Sequence, residues 1–343
     1  MATIPDAPCR HRLVLVTTAP IARRLHSCAH MIDDDSWIAL LVSRRRVDDM
    51  TISRAIGQFN VAPIGLGAMP MSMTRGELPG EEQAIATIHA ALDAGITLID
   101  TADIYAPSWD QMGHNEKLVA KALKAYGGRP ADVIIATKGG ITHGPDGDGR
   151  DGSPEYLRRA VQQSMDDLGV DVIDLYYWHR PDRHRLYSEV IETFADLQKE
   201  GLIKEIGISN ANVEEIQVAI DVLGDGGLAA VQNEFSPRFH HTSKPELDFC
   251  EQRGIAFLPW SPLGGTGGEA KRVGESYPAI AEVARAHDVS PQQVVLAWEL
   301  SLGDHVIPIP GASRPESVRD SALAWDLQLS PQELDDISST ILT

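Results

Sequence analysis

The sequence predicts an α/β fold over residues 50–343, a (β/α)8 TIM barrel with a short N-terminal hairpin, on three observations. Eight short apolar runs alternate with amphipathic stretches, no linker-like segment divides them, and the glycine fingerprint of an open dinucleotide-binding sheet is missing. The runs are 64–68, 97–99, 133–137, 172–178, 203–208, 228–231, 255–259 and 305–309, each the length of a buried parallel strand. Between them, Leu157, Val161, Ser164 and Leu168 recur at the spacing of one helix face, as do Val190, Phe194 and Leu197. Ser153-Pro154 and Ser290-Pro291 read as a cap followed by a proline in the first turn, the second with Gln293 placed to close a capping box, and a further helix starts near Ser330-Pro331. Residues 52–62 read as the hairpin. The open-sheet alternative fails because Gly65-Leu66-Gly67 is followed by Pro70 where a third glycine belongs.

Length does not choose between one domain and two, since 343 residues allow either. Charge is more selective: at −19 the chain repels phosphate backbones and anionic lipid, which argues against nucleic acid or membrane as partners. Cys9, Cys28 and Cys250 are too few and too scattered for a disulfide framework or a metal clip. A cytoplasmic protein is the expectation. Residues 1–49 differ from the rest, with Arg23-Arg24, Arg44-Arg45-Arg46 and Asp33-Asp34-Asp35 and no sustained period, so they read as a leader, disordered or preceding a native start at Met50, and residues 50–343 as the barrel.

Chemistry in a closed parallel barrel gathers just beyond the C-terminal ends of the strands. Here those ends are polar: Asp100 with Tyr105 five residues on, then Lys138, His179, Ser209 and Asn210, Gln232, and Trp260. Any one of them reads more readily as a solvated loop or packing residue. Together they place a carboxylate, an ammonium, a phenol and an imidazole around one opening, a set suited to protonating a carbonyl oxygen while hydride reaches its carbon. A phenol is a weak acid at neutral pH, and an adjacent ammonium is expected to lower its pKa toward the working range. Asp100 would hold Lys138, His179 would orient the substrate oxygen, Trp260 offers a face for a nicotinamide ring, and Ser209, Asn210 and Gln232 suit its carboxamide. Met69, Trp109, Trp178 and Trp260 are expected to shape an aromatic-lined pocket, left open by the short stretch after the last helix.

Eight motifs, in order and spacing, resemble the aldo-keto reductase superfamily over nearly all of 52–343. They are Gly65-Leu66-Gly67-Ala68-Met69, Ile99-Asp100-Thr101-Ala102-Asp103-Ile104-Tyr105, Gly113-His114-Asn115-Glu116-Lys117, Ala136-Thr137-Lys138, the run Asp174 through Asp182, Ile206-Gly207-Ile208-Ser209-Asn210, Ser261-Pro262-Leu263-Gly264, and Pro308 through Arg314. The resemblance implies Asp100, Tyr105, Lys138 and His179 as a catalytic tetrad and NADPH as cofactor. It places Gly67, Ala68, Met69 and Gly311 beside that cofactor, Ser209, Asn210 and Gln232 at the carboxamide, Trp260 in the stacking position, and Ser261, Leu263 and Gly265 along the pyrophosphate. Ser313 and Arg314 are implied at the 2'-phosphate, where Ser313 also reads as a helix cap with Glu316. Histidine at 179 resembles the carbonyl-reducing members. Ser321, preceded by Asp320, departs from the asparagine many relatives carry near the adenine. Some family members are non-catalytic regulatory subunits, the second functional reading.

Other chemistries fit less well. Asn233-Glu234 suits a barrel glycosidase, but no second carboxylate follows at the seventh strand end. His240-His241 lack the spacing of metal ligands, and 146–152 lacks the glycine and terminal glutamate of a calcium loop, reading instead as a mobile, solvated loop.

Overall fold

The computed structural model describes residues 53–74, 76–265 and 268–341; the leader and the proposed start at Met50 lie outside them. Seven parallel strands lie in one sheet: β3 (Leu66–Gly67), β4 (Leu98–Asp100), β5 (Ile134–Gly139), β8 (Ile173–Trp178), β9 (Ile203–Ser209), β10 (Ala230–Glu234) and β11 (Ala256–Trp260), neighbours in that order. Helices α1 (Glu81–Asp93), α2 (His114–Ala125), α3 (Pro154–Leu168), α4 (Tyr187–Lys199), α5 (Val213–Leu223) and α6 (His240–Arg253) connect consecutive strands. Past β11 come α7 (Glu269–Ser276), α8 (Pro278–His287) and α9 (Pro291–Leu300), then 305–309, α10 (Pro315–Ala322) and α11 (Pro331–Ile341).

The eighth run closes the barrel but, with the residues just after it, forms only isolated bridges, Phe257 to Val306 and Gly67 to Gly311, instead of the strand expected. Proline explains the difference. Ile307 and Ile309 donate to Phe257 and Pro259 carbonyls at 2.8 and 3.1 Å on one side. On the other, the carbonyls of Pro308 and Pro310 accept from Gly65 and Gly67 at 2.9 and 3.1 Å, yet neither proline has an N–H to return. Across the seam with β3 the one bond returned is from Ala312 N–H to the Gly67 carbonyl at 3.3 Å, beyond the two prolines.

Alternation sorts the strand residues between two cores. Leu98, Ala136, Leu175, Tyr177, Ala230 and Leu258 fill the barrel interior together with Ile56 and Val61 of the N-terminal hairpin, β1 (Arg54–Ile56) and β2 (Phe59–Val61). Gly207 on β9 leaves room for the Tyr177 ring, which a Cβ there would meet at 2.4 Å. Outward residues Tyr176, Trp178, Ile206, Ile208 and Phe257 join the faces of Leu157, Val161, Val190, Phe194 and Leu197. Each such large side chain contributes about 1.5–3 kcal/mol by its burial. Trp178 thus packs outward, 4.7 Å from the Tyr187 ring between centroids, and is not the pocket residue expected: with His179 facing in, parity turns its neighbour out.

The hairpin covers the N-terminal ends of the strands. Arg54 donates to the carbonyls of Gly303 at 2.7 Å, Leu300 at 2.8 Å and Val306, satisfying the free carbonyl end of α9; burial lowers its pKa to about 10, so it stays charged. Gln58 binds Glu205 on β9 through its backbone N–H and its side chain, at 3.0 and 2.8 Å.

Helix starts follow the sequence signals, with two changes. Ser153 accepts from Tyr156 N and Ser290 from Gln293 N, but the Gln293 amide binds Asp320 at 2.6 Å instead of closing a box. Asp320 also accepts from Ser290 at 2.7 Å, so it ties α10 to α9. The cap of α10 is Arg314, not Ser313, and has no side-chain cap bond, because Pro315 takes the first helical position. A third correction concerns 146–152. Residues 147–150 form β7 (Gly147–Arg150), paired with β6 (Ile141–Gly144) in an antiparallel hairpin above β5.

Candidate active site

The inward parity that fills the barrel with apolar side chains continues at the C-terminal strand ends and there delivers polar ones. Leu98 gives way to Asp100, Ala136 to Lys138, Tyr177 to His179, Gly207 to Ser209, Ala230 to Gln232 and Leu258 to Trp260. Above them opens a cavity of about 320 Å³.

Lys138 lies beneath this cavity, fully buried, and its ammonium is the hub. Nζ donates to Asp100 Oδ1 at 2.5 Å, to the Thr101 carbonyl at 2.8 Å and to the Tyr105 hydroxyl at 3.2 Å. The second Asp100 oxygen accepts from Gln232 Nε2 at 2.7 Å, so the carboxylate is satisfied on both sides. Burial alone would discharge the lysine, but Asp100 and Tyr105 hold its pKa above the ordinary range. For the phenol the balance differs from the sequence expectation: burial pushes Tyr105 upward, and Lys138 pulls it down without overcoming that. Tyr105 is a neutral proton donor whose conjugate base would form 3.2 Å from a cation. Its ring meets His179 edge-on at 5.7 Å between centroids. Burial first, then the charges of Lys138, Arg180 and Arg150, force His179 well below the usual imidazole range, so it is neutral and Nδ1 is buried without a partner.

The remaining predicted residues fall into two groups. Gly67, Met69, Ser209, Asn210, Gln232 and Trp260 line the cavity, as do Ser261, Leu263, Gly265 and Gly311. Ala68, Ser313 and Arg314 do not: Ala68 is buried with its carbonyl accepting from Asn115 at 3.0 Å, Gln83 binds the Ser313 carbonyl at 2.7 Å, and Arg314 is exposed. Trp109, expected in the pocket, is 48% exposed and outside the cavity lining. Ser209 donates to the Gln232 carbonyl at 2.7 Å and accepts from Asn210 Nδ2 at 2.9 Å, which also binds the His179 carbonyl at 3.0 Å. Asn210 Oδ1 keeps its acceptor capacity.

The cavity floor also fits an extended anionic cofactor. Gly67 and Gly311 touch across the barrel seam; a Cβ on the first would meet the Ile309 carbonyl, and one on the second the Pro70 ring, both at 2.8 Å. In the loop after β11, Ser261, Gly264 and Gly265 adopt φ of 53°, 93° and 87°, and the turn is closed by the Gly264 N–H on the Ser261 carbonyl at 2.9 Å, which brings Ser261 and Gly265 to the cavity lining. Among the described residues no group of three or more potential metal ligands occurs, and no helix is long and apolar enough to cross a membrane. Asn233, the candidate glycosidase residue, is spent on Ala211, to whose carbonyl it donates at 2.8 Å and from whose N–H it accepts at 3.1 Å.

Sequence reasoning missed Arg150, Asp148 and Arg180, all on the cavity wall. The first two were recoverable, because Gly144-Pro145-Asp146-Gly147 carries the residues of a tight turn and implies the β6–β7 hairpin.

Comparison with known proteins bears on this geometry. A model of the aldo/keto reductase family matches residues 63–341. The chain is similar to an uncharacterised oxidoreductase of Schizosaccharomyces pombe, 34% identical over 280 residues that cover 81% of this chain and 86% of the relative. It is also similar to a probable aldo-keto reductase of Glycine max, 32% identical over 309 residues covering 82% and 86%. Among solved structures, an aldo/keto reductase from Klebsiella pneumoniae in complex with NADP and acetate superposes with a TM-score of 0.70 at 26% identity, covering 85% of this chain and 96% of that one.

Proposed function

The chain belongs to the aldo/keto reductase family, and on that footing we propose that it reduces an aldehyde or ketone to the alcohol with NADPH, Tyr105 acting as general acid. The observation that carries the reading is the Lys138 ammonium, fixed between Asp100 at 2.5 Å and the Tyr105 hydroxyl at 3.2 Å under an open cavity. NADPH, when bound, supplies the hydride that reaches the carbonyl carbon.

The chain's own residues do the rest. Tyr105 donates its proton to the carbonyl oxygen, and Lys138, itself fully buried, stabilises the phenolate as it forms, where its charge is weakly screened. Asp100 and Gln232 hold that lysine in place and spare it the cost of an unpaired buried charge. Neutral His179 offers the carbonyl oxygen a hydrogen bond without competing as an acid. Trp260 would give the nicotinamide ring a face, and Asn210 Oδ1 an acceptor for its carboxamide. Ser261, Leu263 and Gly265 would hold the pyrophosphate, with Gly67, Met69 and Gly311 leaving space below. Ser313 and Arg314, outside the cavity, would meet the 2'-phosphate at the N-terminus of α10.

The test is NADPH oxidation against a panel of aldehydes, with cofactor binding followed by fluorescence. Wild type is expected to turn over, and Tyr105→Phe to bind NADPH normally while losing about 10² to 10⁴-fold in kcat. Tight NADPH binding with no aldehyde reduced would favour the regulatory-subunit reading, and an unimpaired Tyr105→Phe would remove the phenol from the mechanism.

A further inference from the structure

Two arginines stand on the cavity wall with no ion-pair partner among the described residues. Arg150 ends β7, and its one hydrogen bond goes to the neighbouring Gly149 carbonyl at 2.7 Å. Arg180 follows His179 and lies 6.0 Å from the Trp260 ring centroid. The two carboxylates that share the cavity with them are already engaged, Asp100 by Lys138 and Gln232 and Asp148 by His143. Glu234, at the end of β10, attracts Arg180 from beyond ion-pair distance. In a chain with 49 acidic and 30 basic residues, carboxylates to neutralise such a pair are plentiful, yet these two face each other's charge at the mouth of the site.

We propose that Arg150 and Arg180 form an anion-binding wall, so that the preferred substrate is a small aldehyde or ketone carrying a carboxylate or phosphate group. This rests on the reductase reading and adds the substrate class to it. The guanidinium fork matches a planar carboxylate or a phosphate face in bidentate fashion, and Arg180 is half-buried, so its charge is screened less than that of the exposed Arg150 at the rim. Burial first, and then charges that include that of Arg150, lower the pKa of both Arg180 and His179, so an anion beside the two guanidinium groups also offsets part of the positive charge around the catalytic imidazole. Long-range repulsion from the acidic surface does not prevent this, because the local cationic wall acts within a Debye length of the site.

The experiment compares kcat/KM with NADPH for two matched pairs, 4-oxobutanoate against butanal and glyceraldehyde 3-phosphate against glyceraldehyde, in wild type, Arg150→Met, Arg180→Met and the two lysine variants. Wild type is expected to favour the charged member by about 10-fold or more in at least one pair, which also says whether carboxylate or phosphate is the better fit. Each methionine variant should cut that charged-to-neutral ratio about 10-fold, and each lysine variant should restore part of it. A wild-type ratio at or below one in both pairs overturns the anion wall while leaving the reductase intact. So does a ratio that neither methionine variant changes, or a loss that appears instead as weaker NADPH binding, equal for every substrate. If wild type reduces none of the four compounds, the reductase reading and the anion wall fall together.

Discussion

The two walls of the cavity are made differently. One is built from strand ends: Asp100, Lys138, His179 and Gln232 stand at the C-terminal ends of β4, β5, β8 and β10 of one parallel sheet, and their side chains are bonded to one another or packed against aromatic rings. The other is built from connections, with Arg150 on the β6–β7 hairpin, Arg180 in the turn after β8, and Ser261, Leu263 and Gly265 in the left-handed loop after β11. The strand wall carries the groups whose placement must hold to a fraction of an ångström for proton transfer. The loop wall carries the groups that decide what is held. A change on the first should therefore be felt in kcat and a change on the second in affinity.

The largest effect expected from this contrast is on the strand wall. Lys138→Met leaves the phenol without a cation and Asp100 with an unmatched buried charge, so kcat should fall by about 10² to 10⁴-fold, the range for losing positioned proton-transfer machinery. A variant impaired only in KM would contradict the division between the walls.

Next comes an effect on stability alone. Glu116, on the inner face of α2, accepts from Thr137 on the outer side of β5 at 2.6 Å, and burial raises its pKa from 4.5 to about 7, with Asp167 adding to the rise. A carboxyl with a raised folded-state pKa lends its full stability below the unfolded value and loses it as pH climbs through the folded one. Between pH 4.5 and 7 this group should cost the fold up to about 3 kcal/mol. Glu116→Gln keeps an acceptor for Thr137 and should raise the melting temperature at pH 8 while changing it little at pH 4.5. An equal shift at both values would mean the carboxyl stays protonated or is stabilised in some other way.

On the loop side, Arg314→Ala is expected to weaken NADPH about 10-fold and NADH far less, as the loss of one charge-assisted phosphate contact would. Equal losses measured by titration would remove Arg314 from the 2'-phosphate. The smallest effect belongs to Trp109, which the cavity does not include: Trp109→Ser should alter kcat/KM by no more than about twofold, the scale of an ordinary surface change.

The contrast also governs how far the sequence could be read. Strand-end residues were legible because alternation and the single chemical end of a parallel barrel place Asp100, Lys138, His179 and Gln232 without knowledge of side-chain contacts. The same alternation, applied to its end, excludes Trp178 from the pocket, since it immediately precedes His179. Loop positions obey no such period. The β6–β7 hairpin escaped notice because Gly147-Asp148-Gly149-Arg150 has no apolar residue to mark a strand, and Trp109 looked like a pocket residue on composition alone. Two proline effects also lay outside the pattern: Pro315 moves the α10 cap by one residue, and Pro308 with Pro310 turns an apparent strand into a seam. The net pKa of Tyr105 depends on how deeply it is buried, which spacing along the chain does not report.

That seam makes the barrel a hoop whose clasp is built differently from the rest of the band. Its bonds run from Gly65 to Pro308, from Gly67 to Pro310 and from Ala312 back to Gly67, at the joint where Gly67 and Gly311 touch. The arc from β4 to β8, which bears Asp100 and Lys138 and leads into His179, lies within the unbroken run of seven strands. The prolines thus set the joint apart from the strands that hold Tyr105 against Lys138.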